Sequence, residues 1–191
     1  NSLVGDTWTF MTLGLSRALT AEERMRLEVK EGNAAAQDAL YEMIAMKAYI
    51  NMMILDNWGL VFKKSATNEK SEILRGQEAV SYLEKELLSV RDVIKSDKGA
   101  GRLNQFSVKA LLARLYLNAA VYRDPYGTPT FKKEDMDNVI KYTNEIVAGP
   151  YALSPEYFDI FSDNNSTNRE LIFAMDQRGV LQTAHQRWQY W

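Results

Sequence analysis

Aromatic and hydrogen-bonding residues crowd the stretch "AHQRWQYW", residues 184–191. Trp188, Tyr190 and Trp191 offer flat rings, and His185 and Arg187 supply polar groups beside them. If the stretch is extended, Trp188 and Tyr190 project to one face, with Gln189 and Trp191 on the other. Such rings either plug an apolar interior or form a surface on which a flat ligand stacks. A terminus created by cutting is the third reading. Trp8, in "GDTWTFM", carries the same choice between core and ligand. Trp58, beside Gly59 at the end of an apolar helix, is expected to pack inside or cap that helix.

Other chemistries are poorly served by this composition. The sequence has no cysteine and one histidine, which excludes disulfides, thiolate nucleophiles and a multi-histidine metal site within it. No cofactor is implied. His185 has no partner at nucleophile or metal spacing and reads as a surface or hydrogen-bonding group. The acidic stretch "FDIFSDNN" (Asp159, Asp163, Asn164, Asn165) lacks the spacing and glycine of a calcium loop, so a solvated loop is expected. Acidic residues fall mostly on expected outer helix faces. No carboxylate pair stands out for glycoside hydrolysis, and a non-enzyme is expected. The formal charge of -2 is of mixed sign along the chain, without the basic stripe that nucleic acids require. Apolar runs break well before the ~20 residues needed to span a bilayer.

The elements that must position these residues are helical. With 191 residues, 46% of them hydrophobic, the chain can bury one substantial core. The first twenty or so residues carry no clear period. "TAEE" then matches a capping box, with Thr20 as N-cap and Glu23 reaching back, followed by a charged, exposed helix to about Lys30. "AAAQDALYEMIAMKAYINMMILDNW" repeats Leu40, Met43, Ile44, Ala48, Met52 and Leu55 at helical steps. Gly59 ends it, an extended "LVFKK" follows, and residues 65–71 form a polar loop. "GQEAVSYLEKELLSVRDVIKS" places Val80, Leu83, Leu87, Val90 and Ile94 on one stripe. Asn104 is a plausible N-cap for "NQFSVKALLARLYLNAAVY". "DPYGTPT" is a turn-rich loop, and "EDMDNVIKYTNEIVAG" is a helix stopped by Gly149 and Pro150. "YALSPEYFDIF" reads as a loop with a turn or two of helix, and "NRELIFAM" as a strand, helix start or extended connector. Tyr82, Tyr116 and Tyr142 lie in apolar stripes and are expected in the core. The anchors Ala79, Ala110 and Val139, with the spacing of Tyr142 and Pro150, suggest an irregular tetratricopeptide-like array. The expected fold class is all-α, an irregular helical-hairpin array with loop-rich extensions.

"GRLNQFSVKALLARLYLNAA", residues 101–120, resembles the signature of the SusD/RagB nutrient-uptake lipoproteins, a Gly-Arg turn before a helix close to "KALLARVYLY". "MIAMKAYINMMILDNWGLV", "AVSYLEKELLSVRDVI" and "NVIKYTNEIVAGPYALSPEYFDIFSDNNSTNRELIFAM" resemble further family blocks in the same order. Together they cover residues 44–175, and Asn168, Glu170 and Phe173 match the last block. The chain departs from the family pattern at "GLVFKK", which lacks the usual proline. It also lacks the lipoprotein cysteine and much of the family's C-terminal half. With Asn1 first and Trp191 last, a fragment of a longer chain is expected.

The resemblance implies a non-catalytic glycan-binding protein on the surface of Bacteroidetes-type bacteria. Its implied partners are an oligosaccharide or polysaccharide and a SusC-like TonB-dependent transporter. The implied place is the outer membrane, through a lipid anchor outside this stretch. On this basis residues 1–191 form one SusD-like domain, with residues 36–150 as its tetratricopeptide-like core. Residues 176–191 would begin a variable segment that can face ligand. A sugar site needs rings to stack on pyranose C–H faces and polar groups for the hydroxyls. The expected contributors are Trp8, His185, Arg187, Trp188, Tyr190 and Trp191. The alternative is a tetratricopeptide-type adaptor gripping a protein or peptide, which should show at least three regular repeats.

Overall fold

The computed structural model describes residues 2–64 and 66–175. The N-terminal helix α1 is one continuous element, Ser2–Lys30. This corrects the expected helix start at Thr20. The Thr20 hydroxyl donates backward to the Ser16 carbonyl at 3.0 Å, as a mid-helix threonine does. Glu23 accepts instead from the Thr67 amide at 2.7 Å, tying α1 to the loop beyond α2. Helix α2, Ala36–Trp58, packs along α1. It ends on Gly59, whose φ of 65° lets its amide reach the Leu55 carbonyl at 2.9 Å.

The chain then turns into β1, Val61–Lys63, which pairs antiparallel with β2, Glu72–Leu74. The buried Asn51 side chain pins β1 from α2. It donates to the Phe62 carbonyl at 3.1 Å and accepts from the Phe62 amide at 3.0 Å. β2 was not among the expected elements; its pairing crosses the polar loop.

Helix α3 spans Gly76–Val90, α4 Gln105–Arg123 and α5 Lys133–Val147. Each packs on its predecessor, so α2 to α5 form a stacked helical array. The stripe expected to run through Ile94 does so without a helix. α3 stops at Val90, and a turn returns Ile94 to the core with its amide on the Val90 carbonyl, 3.0 Å. Asn104 does cap α4. Its Oδ1 accepts from the Ser107 amide at 2.9 Å, and Ser107 Oγ closes the box on the Asn104 amide at 3.3 Å.

The core runs from Leu40 and Ile44 through Leu83, Leu87, Leu112 and Leu115 to Tyr142. Each such side chain contributes about 1.5–3 kcal/mol by leaving water. Tyr116 and Tyr142 are buried and stack with centroids 6.1 Å apart, and the Arg91 guanidinium donates to the Tyr142 hydroxyl at 3.0 Å. Tyr82 is half-buried and packs against this core.

Past α5, Tyr157–Phe161 forms a 3₁₀ turn. "NRELIFAM" is neither strand nor helix but an irregular connector held by its own side chains. Asn168 Oδ1 accepts from the Glu170 amide at 2.8 Å, and Glu170 accepts from the Ser154 amide at 3.0 Å. Phe173 meets Tyr49 edge-on at 5.4 Å. Residues 168, 170 and 173 thus fasten the connector to the loop after α5 and to α2.

Candidate functional site

The half-buried Trp8 lies in α1 against the C-terminal end of α2 and β1. Its ring centroid sits 5.0 Å from that of Trp58 and 5.7 Å from that of Phe62, both edge-on. Trp58 is half-buried, so it neither fills the core nor caps α2; Gly59 provides the cap. The three rings make one half-buried aromatic cluster. Phe62 also lines an adjoining cavity of about 250 Å³, with Thr12 and Ser16 from α1 and Ser71 from the loop before β2. Leu15 and Leu19 supply its apolar side, and Lys47 and Lys64 its far side.

The local sequence explains this placement. Trp8, Thr12, Leu15, Ser16 and Leu19 recur at three- and four-residue steps, so they share one face of α1. Phe62 is held there by the Asn51 clamp on its backbone. An aromatic end beside hydroxyls and an ammonium can stack a flat ring and hydrogen-bond its substituents.

Lys47 lines the cavity and is buried between two carboxylates. Its Nζ lies 2.7 Å from Glu22 and 2.8 Å from Glu86. Burial opposes its charge, but Glu86, Tyr82 and Glu22 outweigh this and raise its pKa. The Tyr82 hydroxyl is pushed up to about 12, chiefly by burial, with Glu86 and Glu22 adding to the effect against Lys47. Glu22 also accepts from Arg26 at 2.7 Å.

Carboxylates expected on outer faces are therefore partly inside. Besides Glu22, Glu42 is buried under Lys98 and Arg102, and Asp135 receives both Arg123 Nη atoms at 2.6 and 2.8 Å. These pairings satisfy charges that burial would otherwise penalise. In the acidic loop, Asp159, Asp163 and Asn164 are exposed, and Asn165 donates to the Ile160 carbonyl at 2.7 Å.

Of the residues expected at a ligand site, the structure assembles Trp8 with aromatic neighbours. His185, Arg187, Trp188, Tyr190 and Trp191 lie outside the described residues. Phe62, Thr12, Ser16, Ser71 and Lys64 were not foreseen. The one available signal was "LVFKK", where alternation sends Phe62 away from the buried Val61.

No family model matches the chain. Among curated proteins it is 26% identical over 182 residues to the starch-binding protein SusD of Bacteroides thetaiotaomicron, covering 91% of this chain and 31% of that protein. Among solved structures, one crystallised with a xylogluco-oligosaccharide superposes with TM-score 0.77 at 20% identity, over 92% of this chain and 36% of that one. A SusD homolog from Bacteroides thetaiotaomicron superposes with TM-score 0.68 at 19% identity, over 84% of this chain and 32% of that one. The chain thus spans about a third of the length of the relatives it matches, and the helical array is theirs.

Proposed function

We propose that this SusD homologue is a non-catalytic, cell-surface glycan-binding chain. It captures oligosaccharide and delivers it to a SusC-like TonB-dependent transporter in the outer membrane. The observation carrying this reading is the Trp8–Trp58–Phe62 cluster beside a hydroxyl-lined cavity, in a chain related to a protein named for starch binding. Rings at such an edge stack on pyranose C–H faces, while Thr12, Ser16 and Ser71 replace water at the sugar hydroxyls.

A binding rather than hydrolytic role is supported by where the well-placed carboxylates point. Glu22 and Glu86 hold Lys47, Asp135 holds Arg123, and Asp56 accepts from Tyr122 and Arg114. In this reading residues 36–150 are the scaffold. Residues 176–191 add His185, Arg187, Trp188, Tyr190 and Trp191 to the ligand surface.

Isothermal titration of this chain against a neutral and acidic oligosaccharide panel, with an unrelated peptide as control, tests the reading. Saturable binding to a saccharide, weakened by Trp8→Ala without loss of helicity, is the expected result. Binding of the peptide and of no saccharide would overturn it, as would cleavage of the sugar.

A further inference from the structure

A second cavity, of about 290 Å³, adjoins the one beside Phe62, and Lys47 and Lys64 line both. The walls of this second cavity are mainly cationic, with Arg26 from α1, Lys63 and Lys64 at β1, and Lys85 from α3. Its two carboxylates, Glu22 and Glu86, are already occupied by the buried Lys47, and Glu22 by Arg26 as well. Lys63 pairs with Glu72 at 2.8 Å. Among the described residues, Lys64 Nζ meets the Thr67 carbonyl at 2.7 Å and no carboxylate, and Lys85 is exposed without an ion pair. The two adjoining cavities therefore form a cleft with an aromatic, hydroxyl-bearing end and an end where positive charge is in excess. At that end Lys85 has no ion pair among the described residues, and Lys64 shares its charge only with the nearby Glu23.

A neutral sugar could offer those ammonium groups only uncharged hydroxyl acceptors. An anionic substituent would gain charge-assisted hydrogen bonds, strengthened because cleft walls focus the local field. We propose that the cleft selects acidic oligosaccharides, the carboxylate or sulfate lying at the Lys64 and Lys85 end and an adjoining sugar ring lying beside Phe62. This inference rests on the glycan-binding reading and adds the class of glycan. Carboxylate and sulfate present the same oxygen acceptors to an ammonium, so both belong to that class.

Titration of the chain with trigalacturonate, its fully methyl-esterified neutral form and a sulfated chondroitin disaccharide tests the proposal. The expected result is at least about tenfold tighter binding of trigalacturonate than of its ester. That preference should shrink when salt rises from about 0.05 M to about 0.5 M. Lys64→Gln/Lys85→Gln, two substitutions outside the core, should abolish the preference while leaving the melting temperature unchanged. The disaccharide arm, run with the sulfated and the unsulfated form of the same uronate-bearing disaccharide, distinguishes the anions: tighter binding of the sulfated form assigns the end to sulfate, and equal binding of the two assigns it to carboxylate. Equal affinity for acid and ester would overturn the inference while leaving glycan binding intact. An acid preference that survives the double substitution would overturn the site. Failure of every saccharide on the wider panel would overturn both readings.

Discussion

Replacing Lys47 by methionine isolates the buried charge cluster beneath the cleft. The Lys47 side chain is 7% exposed, Glu22 6% and Glu86 22%. Lys47→Met keeps most of the aliphatic volume and removes the ammonium, leaving two carboxylates facing one another. Arg26 remains on Glu22, but its own side chain is 56% exposed, so solvent screens much of its help. Breaking a buried pair by removing one partner costs about 3–5 kcal/mol. Retained Arg26 places the expected loss near the lower end, about 3 kcal/mol. Urea unfolding followed by far-ultraviolet circular dichroism would measure it, with the slope checked for two-state behaviour. The triple variant Glu22→Gln/Lys47→Met/Glu86→Gln removes the stranded charges and should recover most of the loss. A Lys47→Met chain within about 1 kcal/mol of the parent, or a triple variant no better than the single one, would refute the argument.

Other perturbations read separate parts of the fold. Asn104→Ala should cost about 2–4 kcal/mol, because it removes the α4 cap and strands the Lys98 carbonyl and Tyr151 hydroxyl that Asn104 Nδ2 serves; the denaturation midpoint measures it. Gly59→Ala should cost about 1–2 kcal/mol through backbone strain at φ 65°, since nothing lies within 4 Å of the added methyl; the melting temperature reports this. Tyr82 has its pKa raised from 10.0 to about 12. Its contribution is therefore complete below pH 10 and is lost as pH rises through 12, because the unfolded chain releases the proton first. Stability measured across that interval should fall less steeply in Tyr82→Phe than in the parent. Trp8→Ala should weaken saccharide binding about tenfold with unchanged helicity, measured by titration.

Local chemistry was legible in the sequence, and long-range pairing was not. The Asn104 cap could be read because its partner Ser107 lies one turn away. Tyr116 and Tyr142 were legible from helical period, and both are buried. Gly59 announced the end of α2 because few other residues tolerate its φ.

α1 was obscured by Gly5, Gly14 and its threonines, which weaken helix propensity. Its continuity comes from packing on α2, a contact no local pattern encodes. Thr20 and Glu23 imitate a cap, yet the hydroxyl bonds Ser16 and the carboxylate bonds Thr67 across the fold. β2 was missed because three residues have no readable period before β1 pairs with them.

The candidate site follows the same division. Trp8 was visible as an aromatic without an assigned place, while its proximity to Trp58 and Phe62 is tertiary. Glu22, Lys47 and Glu86 come from three helices. Charge patterning put such acids outside, whereas pairing lets them lie within.

The most direct test of a non-catalytic sugar site at this cleft is an NMR titration of the labelled chain with an oligosaccharide that binds it, followed by analysis of the recovered sugar. The account predicts saturable shifts of the Trp8 and Trp58 indole N–H signals and of the Thr12, Ser16 and Ser71 amides, with the oligosaccharide recovered intact. Saturation that leaves those signals unmoved, or a recovered sugar shortened by hydrolysis, would contradict it.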